Sequence, residues 1–301
     1  MNRRTFTQAF SAAAVSAAFA RLPAAQATTA VAHRNPPFPL SVMLFTVFNG
    51  LHFEERLAKI AEAGYQNVEL VGEYRNWTEE KFVSANATRK RLGIRFDATG
   101  GLRHGFADPA ARDALLAELR EGLKPMETLG CPAMIVLSGN AIPALSREQQ
   151  QQAAIETLKR TASMVEGRQI DGQPVRVLLE CNDPEENPKC FLQSAADAIE
   201  IVRAVSHPQV QFLYDIFHEQ VGFGNLIKKL EKYIDLIGLI HVADVPGRHE
   251  PGTGEINYAS IYRKLVELKY NNVVAMEFQP IGDAVATLRA AKAIAVNAGI
   301  I

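Results

Sequence analysis

Residues 175–180 read Val175-Arg176-Val177-Leu178-Leu179-Glu180, an apolar run that ends in a carboxylate. The pattern returns in Phe212-Leu213-Tyr214-Asp215, in Leu239-Ile240-His241-Val242-Ala243-Asp244 and in Val274-Ala275-Met276-Glu277-Phe278. Short, near-continuous apolar runs suit parallel strands that are buried on both faces. Glu180, Asp215, His241 and Glu277 follow one another at separations of 35, 26 and 36 residues, each about one β–α unit. Working outward, eight strand candidates emerge: Leu40–Phe45, Asn67–Val71, Ile94–Ala98, Ala133–Leu137, Val175–Glu180, Gln211–Asp215, Ile237–Val242 and Val273–Phe278.

Amphipathic stretches lie between these runs. Phe53–Ala63 places Phe53, Leu57, Ile60 and Ala61 on one face, and Gly64 ends it. Asp108-Pro109 reads as an N-cap followed by a first-turn proline, and Ser146 with Gln149 reads as a capping box. Further helices are expected near 78–91, 190–205, 225–234, 258–268 and 282–298. About eight β–α units over this length predict a single α/β domain, a (β/α)8 TIM barrel spanning residues 39–301. A doubly wound open sheet is the alternative, but no G-x-G-x-x-G follows the first strand.

Ahead of the barrel, Arg3-Arg4-Thr5-Phe6 precedes a small, apolar stretch from Ala9 to Ala20 and an Ala25-Gln26-Ala27 cleavage pattern. This order of features predicts a twin-arginine export signal over residues 1–27 and hence a periplasmic or otherwise exported protein. The apolar stretch is too short to span a bilayer, so no membrane span is expected after cleavage. Residues 28–38, small and Pro-rich, read as a linker. The 301 residues carry 32 basic and 33 acidic side chains, a net charge of -1. Cleavage would remove three arginines and no acid, taking the charge to -4. That balance opposes nucleic-acid binding, which rests on a basic excess. With 48% hydrophobic residues and only 3 Cys, the chain is neither disordered nor a disulfide scaffold.

In a barrel of this kind the chemistry sits at the C-terminal ends of the strands. Glu180, Asp215, His241 and Glu277 would meet at one rim. Three carboxylates and an imidazole make an oxygen-rich site that favours Mn²⁺ or Mg²⁺, with Co²⁺ or Zn²⁺ as alternatives. His218, three residues past Asp215, can face a substrate oxygen. Arg248, in the Gly- and Pro-rich segment 244–255, can pair with a substrate carboxylate. Glu69 and Glu73 flank the end of the second strand and His104 follows the third, and each is at least as readily structural as a rim residue. Cys181 should point away from Glu180 by strand alternation, and Cys181 and Cys190 form the one close thiol pair. Trp77 marks a candidate aromatic wall.

Several of these segments together resemble the hydroxypyruvate isomerase family. They are Ala61-Glu-Ala-Gly-Tyr-Gln-Asn-Val-Glu-Leu70, Leu213-Tyr-Asp-Ile-Phe-His218, the strand ending in Glu180, and the loop Ile240-His-Val-Ala-Asp-Val-Pro-Gly-Arg-His-Glu-Pro-Gly-Thr-Gly-Glu-Ile-Asn-Tyr258. That family lies within the xylose-isomerase-like barrels, which also include ketose 3-epimerases and endonuclease IV. The resemblance implies a metal held by Glu180, Asp215, His241 and Glu277, with Glu180 and Glu277 as the acid–base pair. It implies substrate contacts at His218 and Arg248, with Glu186 and Glu250 as further candidates. The implied reaction moves a carbonyl between neighbouring carbons through an enediolate, as between hydroxypyruvate and tartronate semialdehyde. A small hydroxy-keto acid or a sugar is the implied partner, and a homo-oligomer is common among such barrels. One departure stands out: the isomerases resemble Ile-Gln-Ile-Ala-Asp where this chain has Ile240-His-Val-Ala-Asp244, and His241 is what the ketose 3-epimerases carry.

Overall fold

A computed structural model describes residues 35–299. The export signal over 1–27 and the linker up to residue 34 lie outside the described residues. Phe38, at the end of the expected linker, is buried against Tyr262, so the packed barrel already includes it.

Eight parallel strands close into a barrel: β1 (Leu40–Met43), β2 (Asn67–Leu70), β3 (Arg95–Thr99), β4 (Ala133–Leu137), β5 (Arg176–Glu180), β6 (Val210–Asp215), β7 (Ile237–Val242) and β8 (Val273–Met276). Each pairs with its sequence neighbours, and β8 pairs with β1. Period-two alternation divides their side chains. Met43, Ala98, Ala133, Ile135, Leu178, Leu213, Leu239 and Ala275 fill the barrel interior. Their alternate neighbours, such as Val42, Leu179, Cys181 and Ile240, face the surrounding helices. Mixing alanines with branched residues lets the interior layers fill the narrow barrel without voids.

The helices are α1 (Phe53–Glu62), α2 (Glu79–Leu92), α3 (Arg112–Leu129), α4 (Arg147–Val165), α5 (Ala195–Val205), α6 (Ile216–Gly222), α7 (Leu226–Tyr233), α8 (Tyr258–Glu267) and α9 (Ala284–Ala298). Most begin where a side chain can accept an orphan N–H. Thr78, Ser146, Ser194, Asn257 and Asp283 all do so. Ser146 and Gln149 form the expected capping box. Among the described residues no helix is long and apolar enough to cross a membrane.

The structure corrects several local expectations. Asp108 caps only a turn, accepting the Ala110 N–H at 2.8 Å, and α3 starts at Arg112. The first strand stops at Met43, and a 3-10 turn over Leu44–Thr46 swings Phe45 out to 47% exposure. Helix α6 was not foreseen, nor was the short hairpin pairing Gln169–Ile170 with Gln173–Pro174. Cys190 precedes α5 rather than opening it, and all three cysteines are free. Trp77 packs between Phe53 and Phe82 at ring distances of 4.6 and 5.4 Å, so it staples α1 to α2 instead of lining a site.

Inside the barrel, the Asp97 carboxylate accepts from the Ser41 hydroxyl at 2.9 Å, while its other oxygen has no partner. Burial, reinforced by the nearby Glu69 charge, pushes this carboxyl up to about 8. Below the unfolded value near 4, both states hold the proton and nothing is lost. Between there and about 8 the folded state binds the extra proton, so stability falls as pH rises. Asp97→Asn is therefore expected to stabilise the protein by a margin that grows from pH 5 to pH 8 and then levels off. Thermal melts of both proteins across that range would show it, and a constant difference would contradict it.

Candidate active site

The ends of β5 to β8 deliver four ligand-type side chains to one point. Glu180 and Asp215 close their strands, His241 is the penultimate residue of β7, and Glu277 directly follows β8. Asp215 and His241 are register partners. The Glu277 N–H bonds to the Val242 carbonyl at 3.0 Å, which extends the β7–β8 ladder by one step. One ligand atom from each of the four residues lies within 4.8 Å of all the others.

Local structure fixes each group. Asp215 is also the N-cap of α6: its Oδ1 accepts the N–H of Phe217 at 2.8 Å, which leaves Oδ2 facing the site. The first turn of α6 then places His218 over the rim. Its Nδ1 lies 2.6 Å from Asp183 Oδ2. Asp183 is itself buried and pinned by the N–H groups of Glu185 and Glu186 at 2.9 and 2.7 Å. Burial opposes the charge on Asp183, but the Glu186 N–H and His218 outweigh it and hold the carboxyl below its usual range. The His218 Nε2 faces Arg248 Nη1 at 3.2 Å and Asn182 Nδ2 at 3.3 Å.

Arg248 reaches the site from the loop after β7. Buried Asp244 organises this loop, accepting the N–H groups of Val245, Ile256 and Gly252 at 2.8–3.0 Å. Arg248 itself adopts a left-handed backbone, with φ of 55°, held by the Gln279 N–H on its carbonyl. Its guanidinium lies 4.9 Å over the Phe217 ring, donates to Asp215 at 3.1 Å and forms an ion pair with Glu277 at 2.8 Å.

The environment of His241 tests whether a metal fits. Nε2–H donates to Glu69 Oε2 at 3.0 Å, since a carboxylate there can only accept. Nδ1 then faces Glu180 and Glu277. It lies 2.7 Å from Glu277 Oε2, yet the two are not aligned as a hydrogen bond, and both are buried without a hydrogen-bond partner. Two orphaned ligand atoms that share a neighbourhood without facing each other suit convergence on one cation. A carboxylate behind the histidine is the usual means of orienting a metal-bound imidazole. The donor set of three carboxylates and one imidazole suits a hard or borderline divalent ion. Burial alone would raise Glu277, but His241 and Arg248 outweigh it and hold this carboxyl at about 2.

A cavity of about 430 Å³ opens above this cluster. Glu180, Asn182, Glu186, His218, Arg248 and Glu277 line one side of it. Among the earlier candidates, Glu186 reaches the rim and is exposed. Glu250 does not line the cavity and instead accepts the Ile281 N–H at 3.2 Å. Glu73 accepts the N–H of Val71, and His104 pairs with Glu118 at 3.2 Å, so both serve local structure. The roles of Asp183 and Asn182 behind His218 were not anticipated. No spacing signal marks them, because they act only once β5 and β6 are adjacent.

The family model described as the xylose isomerase-like TIM barrel matches residues 57–294. The putative hydroxypyruvate isomerase of Danio rerio is 29% identical over 248 residues, covering 78% of this chain and 87% of the relative. The 2-oxo-tetronate isomerase of Haemophilus influenzae is also 29% identical, over 81% of this chain and 95% of its own length. Among solved structures, a protein described as AP endonuclease, family 2, from Brucella melitensis superposes with a TM-score of 0.74 at 25% identity, covering 84% of this chain and 97% of that one. On the extent of the family match and the closed eight-stranded barrel, the chain belongs to the xylose isomerase-like TIM barrel family.

Proposed function

We propose that the protein is a divalent-metal-dependent isomerase that interconverts an α-hydroxy-ketone and an α-hydroxy-aldehyde through an enediolate. The observation that carries this reading is the convergence of Glu180, Asp215, His241 and Glu277 within 4.8 Å, with two carboxylates able to flank a bound substrate. The isomerase names of relatives that match most of the chain support it.

Glu180, Asp215, His241 and Glu277 would hold the ion, which when bound polarises the substrate carbonyl and its neighbouring hydroxyl. The rest falls to the chain's own groups. Glu180 is the less committed carboxylate: among the described residues its one ion-pair partner within 4 Å is His241 Nδ1, at 3.6 Å. It takes the proton from the hydroxyl-bearing carbon. Glu277, held by Arg248 and His241, stands over the adjacent carbon and mediates delivery of a proton there. His218, fixed by Asp183, and Arg248 orient the substrate oxygens. Hydroxypyruvate is a three-carbon substrate with the required unit, and larger ketoses share it. Epimerisation beside the carbonyl would use the same pair of carboxylates, and His241 in place of the glutamine of the hydroxypyruvate isomerases favours it as the second reading.

The test is hydrogen exchange in D₂O on protein loaded with Mn²⁺, followed by NMR. Deuterium entering the carbon beside the carbonyl, together with formation of the aldehyde, is the expected result. Exchange without aldehyde would select epimerisation, and no exchange on any hydroxy-ketone would remove both readings.

A further inference from the structure

The two sides of the cavity differ in kind. Opposite the charged side, the wall is built from Met43, Phe45, Val71, Leu102, Ile135 and Leu137. Strand register brings this wall against the reacting groups. Leu137 on β4 pairs with Glu180 on β5, so the two side chains project to the same face at the same height. Ile135 lies one layer below, level with Leu178.

Among the described residues part of this wall is open, while Met43 and Ile135 at its base are buried. Phe45 is 47% exposed and Leu137 41%, and they are two of only six large hydrophobic side chains so open among the described residues. The early end of β1, which leaves Phe45 in a 3-10 turn, is what turns this ring outward. A volume near 430 Å³ falls in the range of pockets that enclose drug-sized ligands, well beyond the needs of a three-carbon acid.

Charge points the same way. Among the described residues Arg248 is the only Lys or Arg lining the cavity, and it pairs with both Asp215 and Glu277. The remaining ionic groups on the lining are the carboxylates Glu180, Glu186 and Glu277 and the imidazole of His218. Among the described residues the lining offers no second guanidinium or ammonium beside Arg248 to a substrate carboxylate.

We infer that the substrate is an uncharged α-hydroxy-ketone whose end remote from the reacting carbons carries an apolar group, alkyl or aryl, seated on Phe45, Leu102, Ile135 and Leu137. The reacting end rests on the isomerase reading above. The apolar subsite stands on the cavity's own geometry.

The experiment uses the full chain loaded with Mn²⁺ and three probes: hydroxypyruvate, hydroxyacetone and 1-hydroxy-4-phenylbutan-2-one. Calorimetry gives each Kd, and exchange in D₂O reports the chemistry separately. The phenyl ketone is expected to bind at least about tenfold more tightly than hydroxyacetone, from the apolar area it buries. A Phe45→Ser, Leu137→Ser double variant should bring that ratio below about threefold, because both side chains it removes belong to the wall. Tighter binding of hydroxypyruvate than of either ketone would overturn the inference, as would a ratio that survives in the double variant. Absence of exchange with the tenfold ratio intact would remove the isomerase reading and leave the apolar subsite standing. Exchange on hydroxypyruvate with no preference for the phenyl ketone would do the reverse.

Discussion

Glu180→Gln is expected to lower substrate proton exchange by about 10³-fold or more while the protein stays folded. Glutamine keeps the shape of the side chain and removes its negative charge together with its capacity to hold a proton. The position tolerates that change structurally. Among the described residues Glu180 makes no side-chain hydrogen bond that orders a loop, and its one ion-pair partner is His241 at 3.6 Å. Three other carboxylates, Glu69, Asp215 and Glu277, remain near that imidazole or Arg248, so no buried cation is left unpaired. The effect should fall on the chemical step, with kcat reduced far more than KM is raised. Exchange followed by NMR in D₂O at saturating Mn²⁺, beside a thermal melt and metal analysis of the same sample, separates the possibilities. Full exchange at full metal content would take Glu180 out of the proton path. Loss of exchange together with loss of metal would assign it to holding the ion first and to proton transfer only through that.

Much of this site is legible in the sequence because a parallel barrel converts linear spacing into convergence. One ligand-type residue closing each of four successive apolar runs leaves few geometries other than a shared rim, and β5 to β8 realise it. Asp215 with His218 is legible for a local reason, since one turn of helix carries both. What stayed hidden depends on distant contacts. Glu69 orients His241 across 172 residues, and its neighbours Val68 and Leu70 mark it only as a buried acid on a strand. Asp183 meets His218 from the loop after β5, and Asn182 beside it completes that support. Trp77 looked like a ligand wall because lone tryptophans often are. Its position at the head of α2 instead gives it Phe53 on α1 as a partner. Phe45 was read as a strand residue because β-propensity is blind to where a barrel must stop and turn outward. This difference carries functional weight, since it sets an exposed aromatic beside the site.

Divalent metal is expected to raise the melting temperature by roughly 5–10 °C at a concentration about 100 times its Kd. Binding to the native state alone at that ratio contributes about 2.7 kcal/mol. A domain of this size gains a few degrees for each kcal/mol. The gain originates in crowding: Glu180, Asp215 and Glu277 bring their carboxylates within 4.8 Å, relieved in part by His241, Arg248 and His218. Without an ion the imidazole of His241 does part of that work. Burial would lower its proton affinity, but Glu69 and Glu277 outweigh burial and raise it well above the ordinary histidine value. A cation coordinated by Nδ1 must displace a proton from that ring, so binding releases a proton and strengthens as pH rises. The shift should therefore be larger at pH 8 than at pH 6. His241→Ala should remove most of it, because the variant loses the ligand that Glu69 orients. Melts with Mn²⁺, Mg²⁺, Co²⁺ and Zn²⁺, each reversed with a chelator, rank the ions directly. An equal shift in wild type and His241→Ala would mean that the ions bind elsewhere, and the convergence of four strand ends would then be a structural ion-pair network rather than a metal centre.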